Sequence, residues 1–317
     1  MHYHHLPAMP GEVIDFLNCR PARTYADCTL GGAGHAIRIC EKIVPGGTLI
    51  GIDQDLDAVE NARSVLTRCG AHVHIVHDNF VNLPEILARL GIPAVDGMLL
   101  DLGLSLHQIE ASGRGFSFNR DEPLDMRMNT ADDKTAEDIV NNESEANLAR
   151  ILRDFGEERR ARSIARKIAY VREKEAIRSS RQLARIVIEA LPAKARYGGK
   201  IHPATRVFMA LRIAVNRELE RLKKFLADAA DYLNPGGRLC VLSFHSLEDR
   251  IVKQRFVALA RGCTCPPAIP QCVCGNKPVA RIVTRKVVRP KRAEVDANPM
   301  ARSTRLRVLE KLTPESA

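Results

Sequence analysis

The chain has 317 residues, 45% of them hydrophobic, and 48 basic against 38 acidic side chains give a net charge of +10. That length buries one large α/β core plus a smaller second unit. No run of 18 apolar residues is present and Met1-His-Tyr-His-His5 lacks the apolar centre of a signal peptide, so no membrane-spanning helix is expected and the cytoplasm is the default expectation.

The N-terminal third alternates short apolar runs with helical patterns. Strands are expected over 24–28, 48–53, 73–77 and 96–101, with helices near 35–43, 55–68 and 82–90. Such alternation builds a doubly wound, mainly parallel sheet. Between the first strand and the first helix runs Asp27-Cys-Thr-Leu-Gly-Gly-Ala-Gly-His35, a turn that lets a ligand reach bare backbone at a helix N-terminus. The second strand ends in Asp53, about 20 residues past the glycines, where a ribose-binding acid belongs. The fourth ends in Asp101, so Asp27, Asp53 and Asp101 are expected along one edge of the sheet.

Missing glycines narrow the ligand. A dinucleotide fingerprint begun at Gly32 and Gly34 needs a third glycine at 37, which is Ile37, and no Gly-Lys-Ser/Thr tripeptide supplies a phosphate loop. A nucleoside without a pyrophosphate, such as S-adenosylmethionine, suits what remains. An ordinary tight strand-to-helix turn is the competing reading.

Past residue 108 the alternation stops. Residues 109–202 carry helical patterns at 133–140, 144–154, 157–173 and 179–190, and one longer helix is expected over 203–233, with Phe208, Leu211, Val215, Leu219, Leu222 and Leu226 along one stripe. The strand pattern resumes at Gly237-Arg-Leu-Cys-Val-Leu-Ser243, and candidate strands at 281–287 and 303–309 complete seven. The expected organisation is a discontinuous cofactor-binding domain, 1–108 with 213–317, around an inserted helical substrate-recognition domain, 109–212. Charge follows that division: net −5 over 1–108, +9 over 147–200 and +7 over 275–317. Two basic regions beside a mildly acidic catalytic half suit a polyanionic substrate, although solvated helix faces and a basic tail look the same. On the long helix Arg212 and Asn216 face one way with Arg206 nearby, either for RNA or as a structural bridge.

Of nine cysteines, Cys19, Cys28, Cys40, Cys69 and Cys240 read as single small hydrophobes of a reducing compartment. Cys263-x-Cys265 and Cys272-x-Cys274 place four thiols within twelve residues, in principle enough for a tetrahedral zinc site. The spacing is not the commoner Cys-x-x-Cys, and no metal is assigned.

Several stretches together resemble the MraW family of ribosomal RNA small subunit methyltransferases. They include His5-Leu-Pro-Ala-Met-Pro-Gly-Glu-Val13, the Asp27–His35 loop, Leu100-Asp-Leu-Gly-Leu-Ser105, Arg114-Gly-Phe-Ser-Phe118 and Pro123-Leu-Asp-Met-Arg-Met128. Further on come His202-Pro-Ala-Thr-Arg-Val-Phe208, Ala210-Leu-Arg-Ile-Ala-Val-Asn216, Ser243-Phe-His-Ser-Leu-Glu-Asp-Arg-Ile251 and Asn298-Pro-Met-Ala-Arg-Ser-Thr-Arg-Leu-Arg307. The resemblance implies a class I S-adenosylmethionine-dependent methyltransferase fold, with an inserted helical domain. It implies N4-methylation of one cytidine in the decoding region of 16S rRNA within the small subunit, and allows a homodimer. Carried over by position, Ala33, Gly34 and His35 would meet the methionine carboxylate, Asp53 the ribose, Phe80 the adenine, and Asp101 and Gln108 polar groups near the methyl. Leu106-His107 stands where the family often has Ser-Pro, and Met209 where it has Gln.

Cytosine's exocyclic amine is conjugated with its ring, so methyl transfer needs alignment and an acceptor for the amine protons. Asp101-Leu-Gly-Leu-Ser105 brings no aromatic to stack a base. The acceptor is Asp101, a carbonyl beside it, or a group from Ser243-Phe-His-Ser246; a catalytic pocket shared by Asp101 and His245 is expected, and a purely structural His245 is the competing reading. A non-catalytic RNA-binding assembly factor that keeps the fold is the alternative. A nicotinamide oxidoreductase is a third reading, against which Ile37 argues.

Overall fold

The computed structural model describes residues 6–193, 201–263, 265–266, 271 and 273–313; His5 and Cys272 of the motifs above lie outside them. The chain divides into two compact units, Met1–Gly103 with Leu219–Ala317, and Leu104–Glu218.

The first unit is built on a seven-stranded sheet in the order β3-β2-β1-β4-β5-β7-β6. Its strands are β1 (Thr24–Asp27), β2 (Thr48–Asp53), β3 (His72–His77), β4 (Val95–Asp101), β5 (Leu233–Ser243), β6 (Ala280–Ile282) and β7 (Arg305–Lys311). β1 to β5 run parallel, and β7 is antiparallel to both β5 and β6. The expected helices appear as α2 (Gly34–Ile43), α3 (Leu56–Val65) and α4 (Leu83–Leu90); α1 (Pro10–Leu17) was not anticipated. β2 and β4 are apolar without alternation because both sheet faces are covered. Ile50, Ile52 and Leu100 enter one core cluster, while their neighbours Leu49 and Leu99 enter another.

Four expectations need correction. The helix expected over 203–233 is two, α10 (Thr205–Asn216) and α11 (Glu218–Asp228), separated by Arg217 at φ 51°. Its apolar stripe serves two different cores: Phe208, Leu211 and Val215 join the second unit's cluster, Leu222 and Leu226 the first's. A turn to left-handed backbone lets one stripe do this. β5 begins at Leu233, not 237, and β6 has only three residues. Lastly, Cys40 and Cys69 are not single hydrophobes; they form a disulfide between α2 and the segment before β3.

The second unit is helical: α5 (Leu106–Glu110), α6 (Ala136–Asn142), α7 (Glu145–Asp154), α8 (Ala161–Arg172), α9 (Ser180–Glu189) and α10. Thr135, Ser144 and Ser179 cap the starts of α6, α7 and α9 by accepting backbone N–H groups, which fixes where each helix begins. The pattern expected from 157 becomes helical only at 161, after left-handed Glu157. Arg212 donates two 2.8 Å bonds to Glu218. Buried Asn216 accepts from Met128 N–H at 2.7 Å and donates to Met126 O at 2.8 Å. Both residues therefore hold this unit together internally.

Candidate active site

The sheet order reverses at β1, which pairs with β2 on one side and β4 on the other. At such a switch point the two crossovers leave a crevice outside the carboxyl ends of the strands, where open α/β sheets take ligands. The loop leaving β1 is fastened to both neighbours: Cys28 N–H donates to Leu99 O at 2.9 Å and Leu30 N–H to Ile52 O at 3.1 Å. Gly31, at φ +46°, turns the chain so that its N–H donates to Asp53 Oδ2 at 2.8 Å. Asp53 Oδ1 accepts from Asp55 N–H at 2.8 Å. The second strand's acid thus braces the first strand's loop.

Ala33, left-handed at φ 61°, is the residue before α2, and its own N–H is used by Leu30 O. Of the three amides expected to meet a carboxylate, those of Gly34 and His35 fall in the first helical turn, where N–H groups have no intrahelical acceptor. A Cβ on Gly34 would lie 2.8 Å from the Pro7 ring. The N-terminal Leu-Pro-Ala-Met-Pro motif therefore packs against the loop, and only glycine admits that approach.

Behind the loop, polar groups converge with too few partners. Asp27 is fully buried at the end of β1; Oδ1 accepts from Thr29 N–H at 3.2 Å, and Oδ2 has no hydrogen bond. His35 is 5% exposed, with Nε2 3.5 Å from Asp101 Oδ2 and neither ring nitrogen hydrogen-bonded. Asp101 Oδ1 is likewise buried and unmatched, while its N–H donates to Thr29 Oγ1 at 2.6 Å. Burial pushes the Asp27 carboxyl up to about 7 against the pull of His35, and burial pushes Asp53 up to about 6 against the N–H bonds of Asp55 and Gly31. Buried polar atoms are normally satisfied. A ligand with a positive end supplies what Asp27 and Asp101 lack, and S-adenosylmethionine has one. Asp27 and the His35 ring were not among the expected binding groups; an acid closing the first strand was the available signal.

The remaining expected residues are placed as follows. Phe80 opens a short 3₁₀ turn after β3 and packs edge-on against Phe225, centroids 5.4 Å apart. Beside it Asp78 Oδ1 accepts from Asn79 N–H and Asn82, and Gln54 binds Asn79 and Arg221, a polar group that the sequence reading missed. His245 begins α12 (Ser246–Ala260): Nδ1 accepts Glu248 N–H at 3.4 Å, and Nε2 lies 3.1 Å from Glu248 Oε1 outside hydrogen-bonding geometry. It is three residues beyond Leu242, the register partner of Asp101. Just past Asp101, Gly103 at φ +107° would set a Cβ 3.2 Å from the Phe244 ring. Gln108 belongs to the other unit, where it forms a capping box with Ser105 at the start of α5.

A model of the MraW methylase family matches residues 2–312. A ribosomal RNA small subunit methyltransferase H from Desulfosudis oleivorans is 56% identical over 98% of this chain and 100% of its own. Relatives of the same name from Desulforapulum autotrophicum, at 56% over 97% and 99%, and Brevibacillus brevis, at 47% over 98% and 98%, align equally fully. Among the described residues no helix is long and apolar enough to cross a membrane. With a switch-point crevice lined by acids and a family match along its whole length, the chain belongs to the MraW methylase family and is a class I methyltransferase that uses S-adenosylmethionine.

Proposed function

We propose that this protein methylates the exocyclic N4 of one cytidine in the decoding region of 16S rRNA, acting on the small ribosomal subunit in the cytoplasm. Its relatives' name, for methylation of the small subunit's RNA, is the observation that carries the substrate class; N4 and the decoding region rest on the motif resemblance. S-adenosylmethionine supplies an electrophilic methyl group on a sulfonium. The Gly34 and His35 amides hold its carboxylate, Asp53 its ribose and Phe80 its adenine. Asp27 and Asp101 place negative charge where buried oxygens have no other partner, which favours a cationic amino acid end. Asp101 Oδ1 would accept a hydrogen from the cytosine amine, so that the nitrogen is held in line with the methyl group, and the Asp101 carboxylate would take the proton that the amine loses. His245 is the second wall of this pocket, and its Nδ1 cap fixes the Ser243-Phe-His-Ser246 turn.

The inserted unit, 104–218, and the basic tail bind RNA. Arg162 and Arg166 on α8, and Arg181 and Arg185 on α9, are exposed one helical turn apart. In the tail Arg305 and Arg307 pair with Asp249, Arg281 with Glu310, Lys291 with Glu12 and Arg292 with Asp296, so its RNA contacts come from exposed Arg285, Lys286 and Arg289. The test is single-turnover methyl transfer to small subunits from a strain lacking the enzyme, followed by nucleoside mass spectrometry. Asp101→Asn keeps shape but removes charge, and should slow transfer roughly 100-fold or more with RNA affinity little changed. A full rate would exclude this carboxylate's charge, and a product methylated at carbon 5 or a ribose hydroxyl would overturn the N4 assignment.

A further inference from the structure

The segment joining α12 to β6, residues 261–279, contains no buried residue among those described, and its Val273 is 77% exposed. Among its described residues no apolar core holds it. Its base is nonetheless tied: Val279 N–H donates to Leu259 O at 2.9 Å, and the Asn276 amide donates to Arg261 O and Gly262 O at 3.2 and 2.6 Å. Within this loop three sulfurs converge. Cys263 and Cys265 lie on the outgoing limb and Cys274 on the returning one, all three Sγ atoms within 4.8 Å of one another. Cys263 Sγ and Cys274 Sγ are 3.8 Å apart. A disulfide would need about 2.05 Å. Two thiolates on a tetrahedral zinc with Zn–S of about 2.3 Å sit about 3.8 Å apart.

Each sulfur also has a backbone donor. Cys265 N–H points to Cys263 Sγ, Val273 N–H to Cys265 Sγ and Asn276 N–H to Cys274 Sγ, each at 3.4 Å. Backbone N–H groups aimed at sulfur are the outer partners that orient metal-ligating thiolates. Apolar packing cannot account for thiols that converge in an exposed loop, whereas a shared cation can. We propose that Cys263, Cys265 and Cys274 bind one structural zinc ion, which closes the 261–279 loop as a core would. The three described sulfurs carry the assignment. Soft thiolate donors in a tetrahedral set select zinc over magnesium or calcium.

The test is metal analysis of the untagged full-length chain, purified without chelators, by inductively coupled plasma mass spectrometry, followed by cobalt(II) replacement. About one zinc per chain is expected, with cobalt giving the intense sulfur-to-metal charge-transfer and visible bands of a tetrahedral thiolate site. Cys263→Ser and Cys274→Ser should each weaken zinc retention in a chelator competition more than tenfold, whereas Cys19→Ser should not. The wild-type cobalt spectrum requires no variant to fold. Substoichiometric metal with no charge-transfer band, or a Cys263–Cys274 disulfide in the reduced preparation, would overturn the proposal. Zinc retained in both serine variants would place it on other ligands, such as the N-terminal histidines, and stoichiometric iron would overturn its identity.

Discussion

Asp27 stores the most testable electrostatic strain in the molecule. Its carboxyl is wholly buried, has one oxygen without a hydrogen bond, and is pushed by burial from 3.8 to about 7. The folded chain therefore holds a proton that the unfolded chain has released between those pH values, so stability falls as pH rises from about 4 to 7 and levels off above. Between pH 5 and pH 8 the linkage amounts to about 2–3 kcal/mol. Asp27→Asn keeps the shape and removes the titration. The variant should gain on the wild type by that amount across the interval, seen as a difference in melting temperature that widens by several degrees from pH 5 to pH 8. Subtracting the two melts at each pH removes the titrating groups that do not interact with Asp27, leaving Asp27 and its coupling to His35, Asp101 and Asp53. The same variant should bind S-adenosylmethionine more weakly, because the buried charge that destabilises the empty fold is the one that favours a cationic ligand. A melting difference that stays constant with pH would refute the argument.

Asp53→Ala should weaken S-adenosylmethionine by about 1–3 kcal/mol, measured by calorimetry; unchanged affinity would remove Asp53 from the ribose site. Cofactor affinity of the wild type should rise from pH 5.5 to 7, as Asp53 and then Asp27 ionise near 6 and 7; a flat profile would mean that neither charge faces the ligand. Reversing Arg162 and Arg166 to Glu should weaken binding to small subunits and lower its salt slope by about one to two, without altering cofactor affinity; insensitivity to salt and reversal alike would give that face another purpose.

The parallel half of the sheet could be read from sequence because β2 and β4 are buried on both faces, which writes them as unbroken apolar runs such as Leu49-Ile-Gly-Ile52. Periodicity also found the stripe from Phe208 to Leu226, yet hid the break at Arg217. A helical repeat records which residues are apolar, not which core receives them. The cysteines misled for a related reason. Cys40 and Cys69 are 29 residues apart, and only the packing of α2 against the sheet reveals that they meet. Arg212 and Asn216 read from sequence either as RNA contacts or as a structural bridge, because charge and spacing do not show that Glu218 and the Met126–Met128 backbone engage them.

The site follows the same division. Three acids at strand ends were visible as sequence positions, but their inequality was not. Asp53 has both oxygens engaged by backbone amides, so it braces the glycine loop whether or not a ribose is bound. Asp27 and Asp101 each keep a buried oxygen without a hydrogen bond, an arrangement that costs free energy until something is bound there. The loop is thus held in place by Asp53 while unmet electrostatic demand is concentrated at the neighbouring strand ends. The crevice is therefore shaped before any ligand arrives, and on the proposed reading the cationic end of the cofactor meets the charge that Asp27 and Asp101 leave unmatched.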